Sequence, residues 1–260
     1  MEPLHPTGLD AYKPKEIAEL VETAGVAKAR LPLTSMLTLA ILAGAFIALG
    51  AAAYTMVMTG ADASFGPQRF LGGVVFSLGL VLVIVGGAEL FTGNALMVMA
   101  AIDGKITPSE LTRAWIIVYI GNLIGAVAIA ALFAGTGLYD GPMGATARTI
   151  AEGKATLSPT AAFFRAILCN VLVCLAVWLS IAARSATGKI LGVILPVASF
   201  VLLGLEHSIA NMFFFPQGLA AGAEVGPAAI VQNLAIVTLG NIVGGAGGVA
   251  LSYRLAYRPA

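Results

Sequence analysis

The chain alternates long apolar runs with short polar breaks. Six stretches carry no formal charge or only one: 31–61, 70–102, 114–139, 166–183, 190–223 and 225–253. A membrane-spanning helix needs about 20 apolar residues, so the pattern predicts six spans. The first, third, fourth and sixth read as simple helices. The second and fifth, at 33 and 34 residues, are too long. As helix each would reach about 50 Å, against a hydrocarbon core of about 30 Å. Each also carries a glutamate near its middle, Glu89 and Glu206. Irregular backbone is tolerated at membrane depth where protein buries it or it lines a cavity. The pattern therefore predicts two broken helices, interrupted near 86–94 and 204–209.

Ahead of the first span the period changes. In Pro14–Ala29, Ile17, Leu20, Val21 and Ala24 recur at helical spacing, with Glu16, Glu19 and Glu22 on the other side and Pro14 suited to the first turn. This predicts an amphipathic helix on the membrane surface or on a neighbouring subunit, closed by Lys28 and Arg30.

The two interruptions share a sequence. Gly87-Ala88-Glu89 to Asn94 and Gly204-Leu205-Glu206 to Asn211 both read Gly-x-Glu-x-x-x-x-Asn. Each leads to a second landmark, Gly121-Asn122 to Gly125 and Gly240-Asn241 to Gly244. Asn94 to Asn211 is 117 positions and Asn122 to Asn241 is 119, which predicts two related halves. Three spans per half is an odd number, so the second half enters the membrane upside down. Broken helices of such inverted repeats meet at the midplane, bringing Thr92 and His207 together. The expected organisation is an N-terminal helix and lead-in over 1–30, then one transmembrane domain over 31–257, with repeats of about 31–139 and about 158–257.

Composition supports this all-α membrane class, with 59% hydrophobic and 10% charged residues. A net charge of +1 offers no basic field for nucleic acid. Cys169 and Cys174 lie five apart on one predicted helix and so point apart. Their spacing disfavours a disulfide, and no Cys/His cluster has metal-ligand spacing; no cofactor is expected. The first 30 residues lack the apolar stretch of a cleavable signal. Ten of the fourteen basic residues (Lys13, Lys15, Lys28, Arg30, Lys105, Arg113, Arg184, Lys189, Arg254 and Arg258) fall on the side of the termini, which predicts both termini in the cytoplasm. Trp115, Trp178, Tyr253 and Tyr257 suit an aromatic belt. The glycines of the last span (Gly240, Gly244, Gly245, Gly247, Gly248) suit close helix approach.

The candidate chemistry lies at the interruptions. An ionised side chain at the bilayer centre costs roughly 2.5–3.5 kcal/mol, so it tends to mark a pathway or relay. His207, beside Glu206 on a predicted break, reads as functional rather than as a packed interior ring. Glu89 and Glu206 read as structural, accepting backbone N–H groups freed by the breaks. Asn94, Asn122, Asn211 and Asn241 read as interhelical ties. Asn170 lies within the apolar fourth span, where a tie to the fifth-span loop is expected.

The stretches FSLGLVLVIVGGAELFTGN (76–94), CNVLVCLAVW (169–178), LEHSIANMFFFPQG (205–218) and TLGNIVGG (238–245) closely resemble the formate/nitrite transporter family, and YKPKEIAELVETAGVAKA (12–29) is also similar. The likeness runs from about residue 10 to 257. It implies an aquaporin-like fold, a pore in each protomer and a homopentamer in a bacterial cytoplasmic membrane. His207 would be the pore histidine with Thr92 as its partner. Phe76 and Phe200 would form the periplasmic constriction, Leu80 and Leu90 the cytoplasmic one. Glu206, Asn170 and Lys154 match positions that hold the histidine loop, and Lys28 and Lys154 match lysines that draw anions into the vestibules. The family carries small monovalent weak-acid anions. The Phe213-Phe214-Phe215-Pro216-Gln217-Gly218 stretch and the N-terminal helix place formate first, then nitrite, then hydrosulfide. Whether His207 stays neutral or shuttles a proton is left open. A neutral-solute channel would show Asn-Pro-Ala signatures and an ammonium channel a second pore histidine; neither occurs in the spans. An intramembrane enzyme is the remote alternative, lacking a His-Glu-x-x-His or Gly-x-Ser-x-Gly element.

Overall fold

The computed structural model describes residues 11–61 and 66–257; the first ten residues of the predicted lead-in and Arg258 lie outside them. Among the described residues the structure is helical, with one isolated antiparallel bridge joining Ala11 and Ala183. Five helices are long and apolar enough to cross a membrane: Leu33–Met58, Gly66–Gly86, Pro108–Ala134, Pro159–Ala182 and Pro227–Ala256.

Helix α1 (Pro14–Ala29) has the predicted limits but a rotated face. Ile17, Ala18, Val21 and Glu22 are buried while Leu20 is 37% exposed. The buried stripe packs on Leu96, Met99 and Trp178 of the same chain. Glu22, assigned to the polar face, reaches Lys105 Nζ at 2.6 Å.

Two long pairs frame the centre. Helix α2 (Leu33–Met58) lies along α6 (Pro108–Ala134), and α8 (Pro159–Ala182) along α11 (Pro227–Ile242). Both contacts need glycine. A Cβ on Gly125 would stand 2.0 Å from the Ile41 carbonyl oxygen, and one on Gly240 would stand 2.6 Å from that of Phe163. The small-residue stripe of the last span thus packs inside the protomer, although nothing meets Gly247. That stripe winds as a π-helix over Val243–Leu251 before α12 (Ser252–Ala256).

The second apolar stretch forms α3 (Gly66–Phe76) and α4 (Leu78–Gly86), then resumes as a 3₁₀ turn (Gly93–Met97) and α5 (Val98–Ile102). The fifth forms α9 (Ala186–Leu202) and α10 (Ser208–Ala220). Gly87 and Gly204 stand at φ 83° and 65°, a region open to glycine, and turn the chain off each helix.

Helix α7 (Pro142–Ala155) lies between the two predicted repeats, where apolar positions that are mostly Gly and Ala give little periodic signal. It docks on α10 where Ala147 and Ala151 approach Gly218, while Met143 and Gly144 pack beside Tyr139. Trp115 and Trp178 both have partners inside the protein. Trp115 Nε1 donates to the Asn94 carbonyl at 3.0 Å, and Trp178 is buried against Tyr253 with ring centroids 4.0 Å apart.

Candidate functional site

The two interruptions are stabilised bond for bond alike. After α4, the Phe91 N–H donates to Asn122 Oδ1 at 3.0 Å, while Asn122 Nδ2 donates to the Ala40 and Glu89 carbonyls at 2.7 and 2.9 Å. After α9, the Ser208 N–H donates to Asn241 Oδ1 at 2.9 Å, while Asn241 Nδ2 donates to the Ala166 and Glu206 carbonyls at 2.8 and 3.0 Å. One carboxamide thus satisfies a freed donor and two acceptors at each break, meeting the requirement that buried backbone groups be paired.

The glutamates have a different task from the one expected. Their carboxylates take no backbone N–H there. Glu89 accepts from Lys28 Nζ at 2.7 Å and Asn94 Nδ2 at 2.8 Å. Glu206 accepts from Lys154 Nζ at 2.9 Å and Asn211 Nδ2 at 2.7 Å. The two lysines expected to draw anions are therefore each held by a buried carboxylate, and Lys154 also sits 5.2 Å from the Phe214 ring centroid. Asn170 reaches the other interruption: its Nδ2 donates to the Thr92 carbonyl at 3.2 Å and to Asn241 O at 2.6 Å, not to the His207 loop itself.

His207 is the N-cap of α10. Its Nδ1 accepts the Ala210 N–H at 3.1 Å, and its Nε2 lies 2.9 Å from Thr92 Oγ1. An amide N–H can only donate, so Nδ1 presents a lone pair and the neutral ring carries its hydrogen on Nε2. Charging the ring would set an N–H against the Ala210 N–H and unseat the cap.

Three cavities are linked through shared lining residues, and two of them reach this ring. One, of about 250 Å³, is lined by Arg69, Lys154, Arg165, Glu206, Phe76 and His207 among others. A second, of about 10 Å³, lies between Ile47, Phe76, Leu80, Leu90, Val173, Val197, Phe200 and His207. The third, of about 420 Å³, includes Lys28, Glu89, Leu80, Leu90, Asn94 and Lys189. Phe76, Phe200 and His207 line both the first and second, and Leu80 and Leu90 both the second and third. The Phe76 and Phe200 rings meet edge to face at 5.6 Å, and Phe200 stacks on His207 at 6.0 Å. Thr92 is fully buried behind the imidazole and lines none of these three cavities. Sequence reasoning missed Arg69, Arg165 and Lys189 as lining residues. Each is a single charge beside a span end; Arg69 and Lys189 stand 120 positions apart, close to the repeat offset, a signal that could have singled them out, whereas Arg165 has no such counterpart.

A family profile described as formate/nitrite transporter matches residues 15–255. The chain belongs to the formate/nitrite transporter family. Among its relatives, the transporter YrhG of Bacillus subtilis is 43% identical over 94% of this chain and 93% of its own. The formate channel FocA of Escherichia coli is 40% identical over 95% of each. Of solved structures, a chain described as an FNT family ion channel superposes with a TM-score of 0.87 at 30% identity, covering 93% of this chain and 98% of its own. A pentameric formate channel with formate bound gives 0.80 at 40% identity, over 87% and 98%.

Proposed function

We propose that the chain conducts a small monovalent weak-acid anion, formate first, through a pore in each protomer of a homopentamer. In this reading residues 31–257 form one channel domain of six spans in two inverted halves, preceded by a cytoplasmic helix within 1–30. Both termini face the cytoplasm of a bacterial cell, and the protein sits in its inner membrane. The two mirrored interruptions and their matched asparagine ties support the inverted repeat. The family's formate channels support the cargo.

The observation that carries this reading is the chamber of about 10 Å³ joined to a vestibule on either side through shared residues. Phe76 and Phe200 act as the periplasmic constriction, Leu80 and Leu90 as the cytoplasmic one. A bare anion crosses so apolar a chamber only at a large desolvation cost, whereas its neutral acid does not. His207 offers the one polar edge. A carboxylate entering the chamber competes with Thr92 for the Nε2 hydrogen, and this hydrogen bond holds it while it takes a proton from water of the adjoining vestibule, which leaves hydroxide there. Glu206, Lys154, Asn211, Glu89, Lys28 and Asn94 fix the two loops, and Asn170 ties them together.

The test is flux into proteoliposomes, comparing formate, nitrite, hydrosulfide and glycerol for wild type and His207→Asn at acid and neutral pH. Asparagine can still accept the Ala210 N–H but lacks the Nε2 donor. Formate should permeate wild type and glycerol should not. A hydrogen bond to a charged group is worth about 1.5–3 kcal/mol. The substitution should therefore lower neutral-pH flux by at least about tenfold, with a smaller loss at acid pH where neutral acid is already present. Equal loss at both pH values would make His207 a packing residue.

A further inference from the structure

The vestibule beside α7 contains four charged side chains, Arg69, Lys154, Arg165 and Glu206, three positive and one negative, for a balance of +2. Lys154 and Glu206 answer each other at 2.9 Å. Arg69 and Arg165 have no carboxylate within ion-pair distance among the described residues. Both guanidinium groups converge on Gly204. Arg165 Nη1 lies 3.4 Å from its carbonyl oxygen, and a Cβ built on Gly204 would stand 2.5 Å from Arg69 Nη2. Glycine leaves the room that lets both approach.

Two cations gathered on one residue, with no anion between them, repel each other unless an anion occupies the site. Capping the end of α9 accounts for one donor of Arg165, and that contact is long; each guanidinium has five. The fork of donors matches a planar oxyanion with two oxygens and gives nothing comparable to a one-atom anion. Among the described residues the opposite vestibule has no arginine: Lys28 is held by Glu89, and Lys189 is its remaining cation.

We propose that Arg69 and Arg165 form a capture site for planar monovalent oxyanions, of the carboxylate or nitrite class, that loads the Phe76–Phe200 constriction and disfavours hydrosulfide. The site rests on the channel reading above. It shifts the anion-gathering role from Lys154, which the buried glutamate occupies, to the two arginines. It also makes the two mouths unequal, with oxyanion capture on the α7 side alone.

The experiment uses the full chain in proteoliposomes at pH 7, with initial rates measured against formate and against hydrosulfide. Wild type is compared with Arg69→Ala/Arg165→Ala and Arg69→Lys/Arg165→Lys. The alanine pair should raise the half-saturating formate concentration about tenfold and lower flux far less at saturation. The lysine pair keeps both charges without the forks. Its hydrosulfide kinetics should match wild type while half-saturating formate stays raised about threefold. Unchanged formate kinetics in the alanine pair would overturn the site, as would an equal loss of flux at every concentration. Full recovery of formate affinity by the lysine pair would overturn oxyanion recognition. Absence of formate flux in wild type would instead strike the channel reading itself.

Discussion

Lys154→Met is the most informative perturbation of the histidine loop. The Glu206 side chain is 4% exposed and that of Lys154 15%, so this pair is far from a solvated surface bridge. Removing one partner of a buried pair costs about 3–5 kcal/mol, because the remaining charge is uncompensated. Glu206 keeps the Asn211 carboxamide at 2.7 Å, which places the expected loss near the lower end, about 3 kcal/mol. Glu206→Gln alone leaves a lysine at the edge of the vestibule and should cost about 1–2 kcal/mol. The double variant has neither charge and retains an acceptor for Asn211. Its loss should be only about 1–2 kcal/mol, giving a coupling of about 3 kcal/mol. The measurement is a double-mutant cycle by detergent unfolding of the purified protein, followed by circular dichroism. The mirror cycle on Lys28 and Glu89 should be weaker, about 1 kcal/mol, because the Lys28 side chain is 33% exposed and partly screened. Additive losses in the Lys154 cycle, or a larger coupling at Lys28, would refute the assignment of the lysines to their glutamates.

Three further outcomes are expected. Asn122→Leu and Asn241→Leu each remove three hydrogen bonds from buried backbone, and both should lower unfolding free energy by about 2–4 kcal/mol; a large difference between them would deny that the breaks are equivalent. Leu80→Ala enlarges the chamber of about 10 Å³ toward the larger vestibule and should admit glycerol in stopped-flow light scattering, while an unchanged glycerol barrier would remove Leu80 from the constriction. Outside the spans, burial and then Asp103 push the Glu22 carboxyl above its ordinary value, and each has a buried oxygen without a hydrogen-bond donor. A raised folded value stabilises the docked α1 at low pH and loses that contribution as pH rises through it. Amide protection of α1, corrected for intrinsic exchange, should therefore fall with pH in wild type and be flat in Glu22→Gln.

The breaks were legible because an apolar stretch of 33 or 34 residues cannot be one straight span, and because the same eight-residue pattern marks both. The juxtaposition of Thr92 and His207 followed from topology before any contact was known. The side-chain roles did not follow. Composition marks a buried glutamate as costly without naming its partner, and here the partners are amines from α1 and α7 and the carboxamides of Asn94 and Asn211, while Asn122 and Asn241 serve the backbone. Helix α7 escaped notice because alanine and glycine bury little apolar area and leave a weak pattern, though they permit the closest docking.

The lysines explain why the site could not be completed by internal symmetry. Glu89 to Glu206 is 117 positions, the repeat offset, but Lys28 to Lys154 is 126. The glutamate and asparagine of each break belong to the duplicated unit; the cation is supplied from outside it, by a helix before the first half and by one joining the halves. A buried carboxylate in lipid must be neutralised or paired, so each half needed a cation and found it on a different scaffold. The consequence is mechanical. The loop bearing Thr92 is pinned by a helix at the chain's start, and the loop bearing His207 by a helix lying on α10. Displacing either helix withdraws the counter-charge from a carboxylate beside the pore, so the position of α1 or α7 and the state of the nearby interruption are coupled through one ion pair each.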